Sequence, residues 1–495
     1  MANLKSLAKD TVIYGMTGMV GRFLNYLLVP LYTAKISASS GGYGIITNIY
    51  AYTALIIIIL TFGMETTFFR FANKDGENPK AVLSTSFISV TAVSAIFVLL
   101  VLLSLPWLAP AMGYGAHPSY IWVMAVVVAL DAVQSILYAY LRYQHKPLKF
   151  ATLKFSFIIL NIGLNLVYFL LLPWLYEKYP AAIGTIYDPS VGVGYAFYLN
   201  LVCTGLVTLL FWKEIKSIEF KLDRPLLKRM LEYTWPLLVL GVVGILNQTA
   251  DKILYPFIDD SANGRAQLGI YGAACKIAMI MAIITNAFRW AYEPFVFGKS
   301  RDKDNREAYA AAMKYFLIFT LLAFLMVVAW IDVLKYLIGR DYWEGLKVVP
   351  IVMAAEIMMG VYFNLSFWYK LVDKTIWGAW FSLIGCVVLV AINFLFVPHF
   401  GYMACAWGGF TGYGVAMVLC YIVGRKYYPI DYPLKEIGLY VGLTAVLYAA
   451  SVLVDWGGSF ENVTYRTLLL LVFVAVLVKK EHVMEKVIEF KRRRQ

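Results

Sequence analysis

Charged residues are scarce in this chain. Of its 495 residues only 15% are charged, whereas 61% are hydrophobic. Soluble globular domains carry about 25% charged residues. The composition therefore excludes a soluble globular protein of this size and places the chain in a membrane.

Cysteine and histidine are also scarce, with five and four copies. All five cysteines lie in apolar stretches, no CxxC pair occurs, and no histidine lies near them at ligand spacing. This pattern supports neither a disulfide framework nor a zinc site, and we expect no cofactor. The N-terminus lacks a small-residue cleavage site after a short apolar core, so we expect the first apolar segment to be retained.

Nucleotide-binding and catalytic features are missing as well. Gly298-Lys299-Ser300 resembles the end of a P-loop, but Glu293 stands where the first glycine is required. The connections between apolar runs are short, whereas membrane glycosyltransferases and polymerases generally need larger loops to hold catalytic carboxylates. We therefore expect a protein that is not an enzyme, with a glycosyltransferase or polymerase as a distant alternative.

Long apolar runs are what the chain has in abundance. A helix that crosses the hydrocarbon core needs about 20 residues, and continuous apolar runs without period-two alternation exclude a barrel. The sequence predicts an all-α integral membrane protein of about fourteen transmembrane helices. The predicted spans are 11–33, 43–69, 81–105, 118–140, 150–172, 191–212, 233–255, 268–297, 309–331, 345–369, 376–397, 402–423, 434–454 and 463–478.

The formal net charge of +13 is explained by membrane topology. Alternate connections, starting with the N-terminus and ending with the tail, hold 29 of the 43 lysines and arginines. Basic loops resist translocation, so both termini are expected in the cytoplasm. No nucleic-acid partner is then needed, and the basic tail after residue 479 is expected to touch anionic membrane lipids.

A charged connection from Lys213 to Arg229 divides the chain. It predicts an N-terminal lobe, 1–213, and a C-terminal lobe, 214–424, of six helices each, followed by a two-helix appendage, 425–479, and a basic tail, 480–495. A shift of 228 residues superposes Tyr43-Gly44 on Tyr271-Gly272, and Glu65 on Glu293. Repeated halves are common in transporters, so the two lobes are expected to be pseudo-symmetric.

Arg22 is a permanent cation at the centre of the first apolar segment. Gly15, Gly18, Arg22 and Asn25 share one helix face. An arginine at the bilayer centre costs about 2.5–3.5 kcal/mol on insertion scales, so it faces a watery cavity or a partner. One interpretation is a substrate-binding or gating role for Arg22; the other is a buried ion pair with Asp131 or Glu356.

The eighth predicted helix carries Lys276 and Arg289. Arg289 either serves a substrate or is neutralised by Glu293, four residues on. Lys276 has no acidic residue three or four positions away, which favours a cavity role. Because arginine binds phosphate oxygens as a fork and lysine as a point charge, the two cations are candidates for binding an anionic headgroup.

Further membrane-embedded charges have two interpretations each. Asp251, with Asn247 on its face and Lys252 beside it, either binds a coupling H⁺ or Na⁺ or forms an interhelical clasp. Glu356 either takes protons or balances Arg22. Glu65 and Arg70 favour a salt bridge to a neighbouring helix over ligand contact. Four cations lie near enough to helix ends to reach the headgroups: Arg70, Lys154, Lys314 and Lys347.

Four segments together resemble the multidrug/oligosaccharidyl-lipid/polysaccharide (MOP) exporter superfamily, and specifically the bacterial Wzx-type polysaccharide, or O-antigen, flippases. They are KDTVIYGMTGMVGRFLNYLLVPLYT with Arg22, YGIITNIYAYTALIIIILTFGMETTFFRF, YTWPLLVLGVVGILNQTADKILY, and LGIYGAACKIAMIMAIITNAFRWAYEPF. The resemblance covers the first twelve predicted helices in organisation. It is most specific in helices one, two, seven and eight.

The resemblance implies two MATE-like six-helix lobes that alternate between inward and outward openings, plus two extra helices. The implied substrate is an undecaprenyl-pyrophosphate oligosaccharide, moved from the cytoplasmic to the periplasmic leaflet of the bacterial inner membrane. The implied cavity cations are Arg22, Lys276 and Arg289, with Asn25 beside the first. A polysaccharide polymerase or glycosyltransferase is an implied partner.

Two transport alternatives stand beside this interpretation. A cation-coupled multidrug exporter of the same superfamily would prefer an acidic cavity, which the cations of helices one and eight oppose. A lipid II flippase would share both a cationic cleft and fourteen helices, so the residues do not separate it from a polysaccharide flippase.

Overall fold

The computed structural model of the chain describes residues 26–299, 305–372 and 374–481. These ranges are helical and contain no β-strand. The α-helices are α1 Leu28–Lys35, α2 Gly42–Thr61, α3 Met64–Ala72, α4 Pro79–Ala111, α5 Ser119–Tyr143, α6 Pro147–Leu166, α7 Leu172–Lys178, α8 Pro180–Ile183, α9 Gly194–Leu210, α10 Trp212–Lys216, α11 Arg224–Ile258, α12 Ala262–Lys299, α13 Asn305–Ala329, α14 Ile331–Leu334, α15 Val349–Leu365, α16 Phe367–Leu371, α17 Ile376–Phe400, α18 Tyr402–Tyr427, α19 Leu434–Leu453 and α20 Ser459–Lys480.

Twelve helical segments within these ranges are long and apolar enough to cross a membrane. They correspond to twelve of the predicted spans, and the chain is a multi-pass membrane protein. The predicted span 191–212 forms α9, which has 17 residues and is shorter than the others. The first predicted span lies mostly outside the described residues, so the total of fourteen stays a prediction.

Helix boundaries follow local chemistry. Asn78 caps α4 by accepting a hydrogen bond from the Lys80 backbone, and Asp223 caps α11 by accepting one from Leu226. Between α2 and α3 the backbone at Phe62 and Gly63 is left-handed, with φ of 35° and 72°. This pair of residues breaks one apolar run into two helices.

The described residues form two compact units. The first unit comprises the residues up to Gly272 together with Asn393–Tyr402; the second comprises Ala273–Ile392 and the residues from Met403 onward. The division falls inside α12, because α11 packs against α2 and α3 within the first unit. The lobe boundary predicted after residue 213 stays a prediction.

The core of the first unit is built from α3, α4, α5 and the start of α11. Its central side chains include Met64, Phe68, Ile136, Phe211 and Met230, all fully buried. Continuous burial of this kind holds the helices that carry several of the charged side chains described below, since a close-packed core has low compressibility.

Ion pairs from α13 and α14 hold the last two helices of the second unit. On α13 the Lys314 ammonium lies 2.5 Å from a Glu436 carboxylate oxygen and 2.7 Å from one of Glu481. On α14 the Asp332 carboxylate accepts a hydrogen bond of 2.7 Å from Arg466. The Lys314 ammonium is paired with both carboxylates, and its reach to the headgroups stays a prediction. The predicted two-helix appendage is therefore fastened to α13.

Candidate functional site: membrane-embedded charges

Lys276 and Arg289 both lie on α12, a helix of 38 residues. Both side chains are half-buried. Lys276 lies at the middle of the part long enough to span a membrane, Ala262–Trp290, and Arg289 lies at its end. At 1.5 Å and 100° per residue, the thirteen-residue separation places the two Cα atoms about 20 Å apart along the axis, on different faces. The two cations therefore lie at different depths along this helix.

Arg289 lies in a charged cluster ten residues before the end of α12. Its guanidinium is 4.7 Å from the Phe363 ring centroid on α15. On the same side, the Lys370 ammonium of α16 is 3.8 Å from a Glu293 carboxylate oxygen and 4.4 Å from the Phe367 ring centroid. Glu293 thus pairs with Lys370, and Arg289 lies against the ring of Phe363.

Sequence reasoning missed Lys370, which contacts Glu293 of this cluster. In the sequence Lys370 follows the last apolar residues of its predicted span and therefore belongs to a connection. The junction of α15 and α16 at Ser366 precedes Lys370 by four residues, and the Lys370 ammonium lies near Glu293 of α12. No local pattern announces such a tertiary approach, so the sequence contained no signal for it.

Aromatic rings surround this charged cluster. The Phe288 ring centroid lies 4.6 Å from that of Phe316, and the Tyr292 centroid lies 5.2 Å from that of Phe367. Tyr292 is buried and Phe367 with it. The Lys370 and Glu293 side chains themselves stay 35% and 47% exposed, so their attraction is screened by solvent.

In the first unit, Glu65 and Arg142 form a salt bridge between α3 and α5. Arg70 places its guanidinium 4.1 Å from the centroid of the Tyr233 ring on α11. Both cations are thus engaged by groups of neighbouring helices, at the ends that the basic connections join.

Asp131 lies at the middle of α5, and Lys154 lies on the adjacent α6. Lys154 was expected to reach the headgroups, but its ammonium lies 4.0 Å from the centroid of the Tyr138 ring. The carboxylate and the ammonium are electrostatic neighbours. Sequence reasoning paired Asp131 with Arg22 as one alternative and did not consider Lys154 as its neighbour.

Asp251 and Lys252 belong to a buried network in the first unit. The Asp251 carboxylate lies 2.9 Å from the Lys252 ammonium and accepts a hydrogen bond of 2.6 Å from the Tyr271 hydroxyl. The Asn48 amide donates to the Lys252 carbonyl at 2.7 Å and accepts from the Tyr114 hydroxyl at 2.7 Å. Three helices of this unit, α2, α11 and α12, and the connection that follows α4 are therefore tied together here.

Next to this network, α2 and the start of α12 cross in backbone contact. A Cβ at Gly269 would lie 2.9 Å from the Gly44 backbone nitrogen, and a Cβ at Gly272 would lie 2.8 Å from the Thr47 methyl. A Cβ at Gly44 would overlap the carbonyl of Arg265. The weak internal repeat, Gly44 onto Gly272, thus coincides with a crossing that only glycine permits.

For the remaining predicted residues the structure gives less detail. Glu356 is half-buried near the middle of α15. Arg22 and Asn25 lie outside the described residues, so their roles stay predictions. Among the residues that the structure describes, no group of three or more His, Cys, Asp or Glu side chains could hold a metal ion.

An apolar cavity of about 790 Å³ lies in the second unit, among α13, α15, α18 and α19. Leucine, methionine and aromatic side chains form most of its wall, and Lys347 is also part of it. None of the predicted site residues that the structure describes lines it. Lys347 also pairs with Glu344 at 3.0 Å.

A family model described as "Polysaccharide biosynthesis protein" matches residues 7–294, more than half of the chain. The chain belongs to this polysaccharide biosynthesis protein family. No curated protein sequence matches it. The matched residues include the predicted cations Arg22, Lys276 and Arg289.

Solved structures show which fold this polysaccharide biosynthesis protein adopts. A lipid II flippase MurJ in an inward closed conformation matches with a TM-score of 0.71 and 15% identity, over 95% of this chain and 99% of the other. An inward-facing multidrug resistance MATE transporter of the MOP superfamily matches with a TM-score of 0.63 and 14% identity, over 84% and 98%.

A third structure, a MOP superfamily transporter from Pyrococcus furiosus described as having a binding pocket of reverse polarity, matches with a TM-score of 0.51 and 14% identity, over 85% of this chain and 96% of the other. The resemblance to the MOP superfamily is confirmed, and the fold is MurJ- and MATE-like.

Proposed function

We propose that the protein is a flippase that moves an undecaprenyl-pyrophosphate-linked oligosaccharide from the cytoplasmic to the periplasmic leaflet of the bacterial inner membrane. The observation that carries this proposal is the pair of half-buried cations on α12, Lys276 and Arg289, at two depths of one membrane-spanning helix. Membership of a polysaccharide biosynthesis family supports the glycan as cargo.

A pyrophosphate and sugar hydroxyls cannot cross hydrocarbon unaided, because losing their hydration without replacement bonds costs several kcal/mol per group. Cations at successive depths replace that hydration. Arg289, a planar fork, suits the first capture of phosphate oxygens, and Lys276, a compact point charge about 20 Å further along the helix, suits the second. The polyprenyl tail stays in lipid throughout.

The membrane potential assists this direction of movement. Carrying negative charge outward across an inside-negative membrane is favourable by about 2.3 kcal/mol per charge per 100 mV. The same field helps the empty cationic site return inward. We propose alternating access with both termini in the cytoplasm, and with H⁺ or Na⁺ coupling as a further driving force.

Deletion of the gene tests the proposal. We expect lipid-linked oligosaccharide to accumulate in the cytoplasmic leaflet, with loss of surface polysaccharide. Arg22→Ala and Arg289→Ala are each expected to reproduce this loss at normal membrane abundance, and Arg→Lys at either position to retain part of the export. Arg425→Ala is the matched control, because Arg425 is an exposed arginine in the last turn of α18. Wild-type export in both alanine variants would reject the cationic path.

A lipid II flippase is the second candidate, favoured by the structural match that extends over 95% of the chain. Expression of this chain in cells depleted of their own lipid II flippase separates the two. Growth rescue would support lipid II as cargo. Failure to grow, together with restored surface polysaccharide in the deletion strain, would support the glycan.

A further inference from the structure

The apolar cavity of the second unit is elongated along its four helices. Its wall includes side chains at helical spacing over residues 313–324 of α13, 350–365 of α15, 407–421 of α18 and 434–448 of α19. At 1.5 Å per residue these stretches measure about 17–23 Å along the helix axes. All four helices belong to membrane-spanning segments. The cavity therefore follows these helices over most of the roughly 30 Å of hydrocarbon.

One end of the cavity carries a cation and amphipathic aromatic rings. Successive membrane-spanning helices run in opposite directions, so the late residues of α13 and α19 and the early residues of α15 and α18 lie at the same end. Phe324 of α13 and Tyr448 of α19 lie there, with ring centroids 5.6 Å apart, together with Trp407 of α18. Lys347 precedes α15 by two residues and completes this end. Lysine, tryptophan and tyrosine are side chains that reach the headgroup level of a bilayer.

The cavity is open along α18 and α19. Trp407 and Val418 of α18 and Val441 of α19 line it and are about half exposed. On α13, in contrast, the lining residues Leu317 and Leu321 are buried. The cavity is therefore accessible from the side, within the depth of the membrane, and extends inward to α13.

The middle of the wall selects an apolar occupant. The hydroxyl of Thr444, a polar lining residue, donates to the Tyr440 carbonyl of its own helix at 2.8 Å and is thereby satisfied. A buried water molecule needs two to four polar partners. A wall of leucine, isoleucine, valine and methionine side chains does not supply them, so hydrocarbon is favoured over water here.

The size of the cavity matches one hydrocarbon chain. If each carbon group takes about the 30 Å³ that a water molecule occupies in the liquid, the cavity of about 790 Å³ holds roughly 26 of them. A fully extended chain advances about 1.2 Å per single bond, as the protein backbone does, so a length of about 20 Å takes roughly 17 bonds. Two parallel chains of this length would need roughly 1,000 Å³. An undecaprenyl chain, with eleven five-carbon units, is about twice too large.

We propose that the cavity binds one acyl chain of a membrane phospholipid, with the lipid phosphate against the Lys347 ammonium. The chain enters from the side that is open along α18 and α19, and the second chain of the lipid remains in the bilayer. Lys347 pairs with Glu344 at 3.0 Å, but both side chains are exposed, and such surface pairs are weak. The ammonium has three donors, so it contacts a phosphate oxygen as well. The inference concerns a membrane lipid and does not depend on the proposed cargo.

The test places full-length protein in phosphatidylglycerol nanodiscs, in which part of the phosphatidylglycerol carries a photoreactive diazirine in the middle of one acyl chain. After illumination, labelled residues are located by peptide mass spectrometry. We expect labelling of Leu317 and Leu321, because these residues are buried and lipid reaches them only through the cavity. Phe319 of the same helix is exposed and does not line the cavity, so it reports ordinary contact with surrounding lipid.

Two exposed alanines of α19 provide matched variants. Ala445 lines the cavity, whereas Ala449, one turn later, does not. Ala445→Phe is expected to lower the labelling of the two buried leucines several-fold relative to Phe319, because the added ring occupies the volume of the chain. Ala449→Phe is expected to match the wild type. If Ala445→Phe fails to fold, Ala354→Leu, which narrows the cavity from α15, replaces it.

Competition with unlabelled lipid tests the headgroup contact. Phosphatidylglycerol is expected to displace the labelled lipid better than diacylglycerol with the same chains, which lacks the phosphate. Lys347→Gln is expected to lose this advantage, which an exposed ion pair sets at up to about fivefold. Lys435→Gln removes an exposed lysine of α19 that does not line the cavity, and is expected to keep the advantage.

Each part of the inference has a result that would overturn it. Labelling of Phe319 without labelling of Leu317 and Leu321 would show that no lipid enters the cavity. Equal labelling in Ala445→Phe and the wild type would place the lipid elsewhere. A polyprenyl phosphate that displaces the labelled lipid better than phosphatidylglycerol would assign the cavity to the tail of the cargo instead. An unchanged preference for phosphatidylglycerol in Lys347→Gln would refute the phosphate contact.

Discussion

Replacing Gly44 by alanine tests the backbone contact between α2 and α12. In the structure a methyl group at this position would overlap the Arg265 carbonyl oxygen and lie 3.0 Å from the carbonyl carbon. It would also lie 3.1 Å from the Gly269 backbone nitrogen. These are backbone atoms, so no side chain can rotate away to make room. The two helices must separate at this crossing.

Two effects of Gly44→Ala oppose each other. Alanine is favoured over glycine within a helix by about 0.5–1 kcal/mol, but Gly44 is the third residue of α2, where this gain is small. Overpacking costs about 1–3 kcal/mol. The cost of the overlap therefore exceeds the gain. The population of conformers with α2 and α12 apart is expected to rise roughly 5- to 150-fold relative to the packed conformer.

The assay measures the distance between spin labels on Ser39→Cys and Asp260→Cys, two exposed positions beside the crossing. All five native cysteines are buried, so exposed engineered cysteines are labelled selectively. We expect a second, longer distance in Gly44→Ala. A smaller shift is expected in Gly269→Ala, where a Cβ would lie 2.9 Å from the Gly44 nitrogen.

Gly205→Ala on α9 is the matched control, because a Cβ there meets nothing within 4 Å. It is expected to leave the distances unchanged. A Gly44→Ala protein with the distance distribution and thermal stability of the control would show that the two helices do not pack as described, and would refute the reasoning.

Two further predictions concern stability, measured as thermal unfolding of the purified protein. Asn48→Ala leaves the buried Lys252 carbonyl and Tyr114 hydroxyl without this partner, and is expected to lower the free energy of unfolding by about 1–3 kcal/mol. Asn73→Ala, at an exposed position, is the control and is expected to be near neutral. Equal unfolding transitions of the two variants would contradict the hydrogen-bond network. Lys314→Ala leaves Glu436 and Glu481 without their shared cation. It is expected to lower the free energy of unfolding by about 2 kcal/mol, because Glu436 is partly exposed. Lys314→Arg is expected to recover part of this stability, and an unshifted unfolding transition in Lys314→Ala would argue against the ion-pair network.

Helix positions were predictable from the sequence because an apolar run of about 20 residues has few other structures available in a membrane. The helix breaks inside these apolar runs were harder to predict. The predicted span 43–69 is two helices, since Phe62 and Gly63 take left-handed conformations, and nothing in the local hydrophobicity distinguishes such a break from a continuous helix.

The partners of charged side chains were predictable only when they were local. Glu65 engages another helix, as its position near a helix end suggested, but its partner Arg142 lies 77 residues away. The pairing of Glu293 with Lys370 and the approach of Lys154 to Tyr138 depend on the tertiary arrangement. Lys276 and Arg289 were placed on one helix correctly, and their helical spacing alone separates them by several turns.

The ion pairs of Lys314 on α13 and Asp332 on α14 constrain any motion of the last two helices. Because the two residues hold these helices at two separate positions, the helices cannot slide or pivot independently without breaking an ion pair. In the proposed alternating-access cycle the last two helices are expected to move together with α13. This movement displaces surrounding lipid, so bilayer viscosity and packing are expected to set the rate of the proposed cycle.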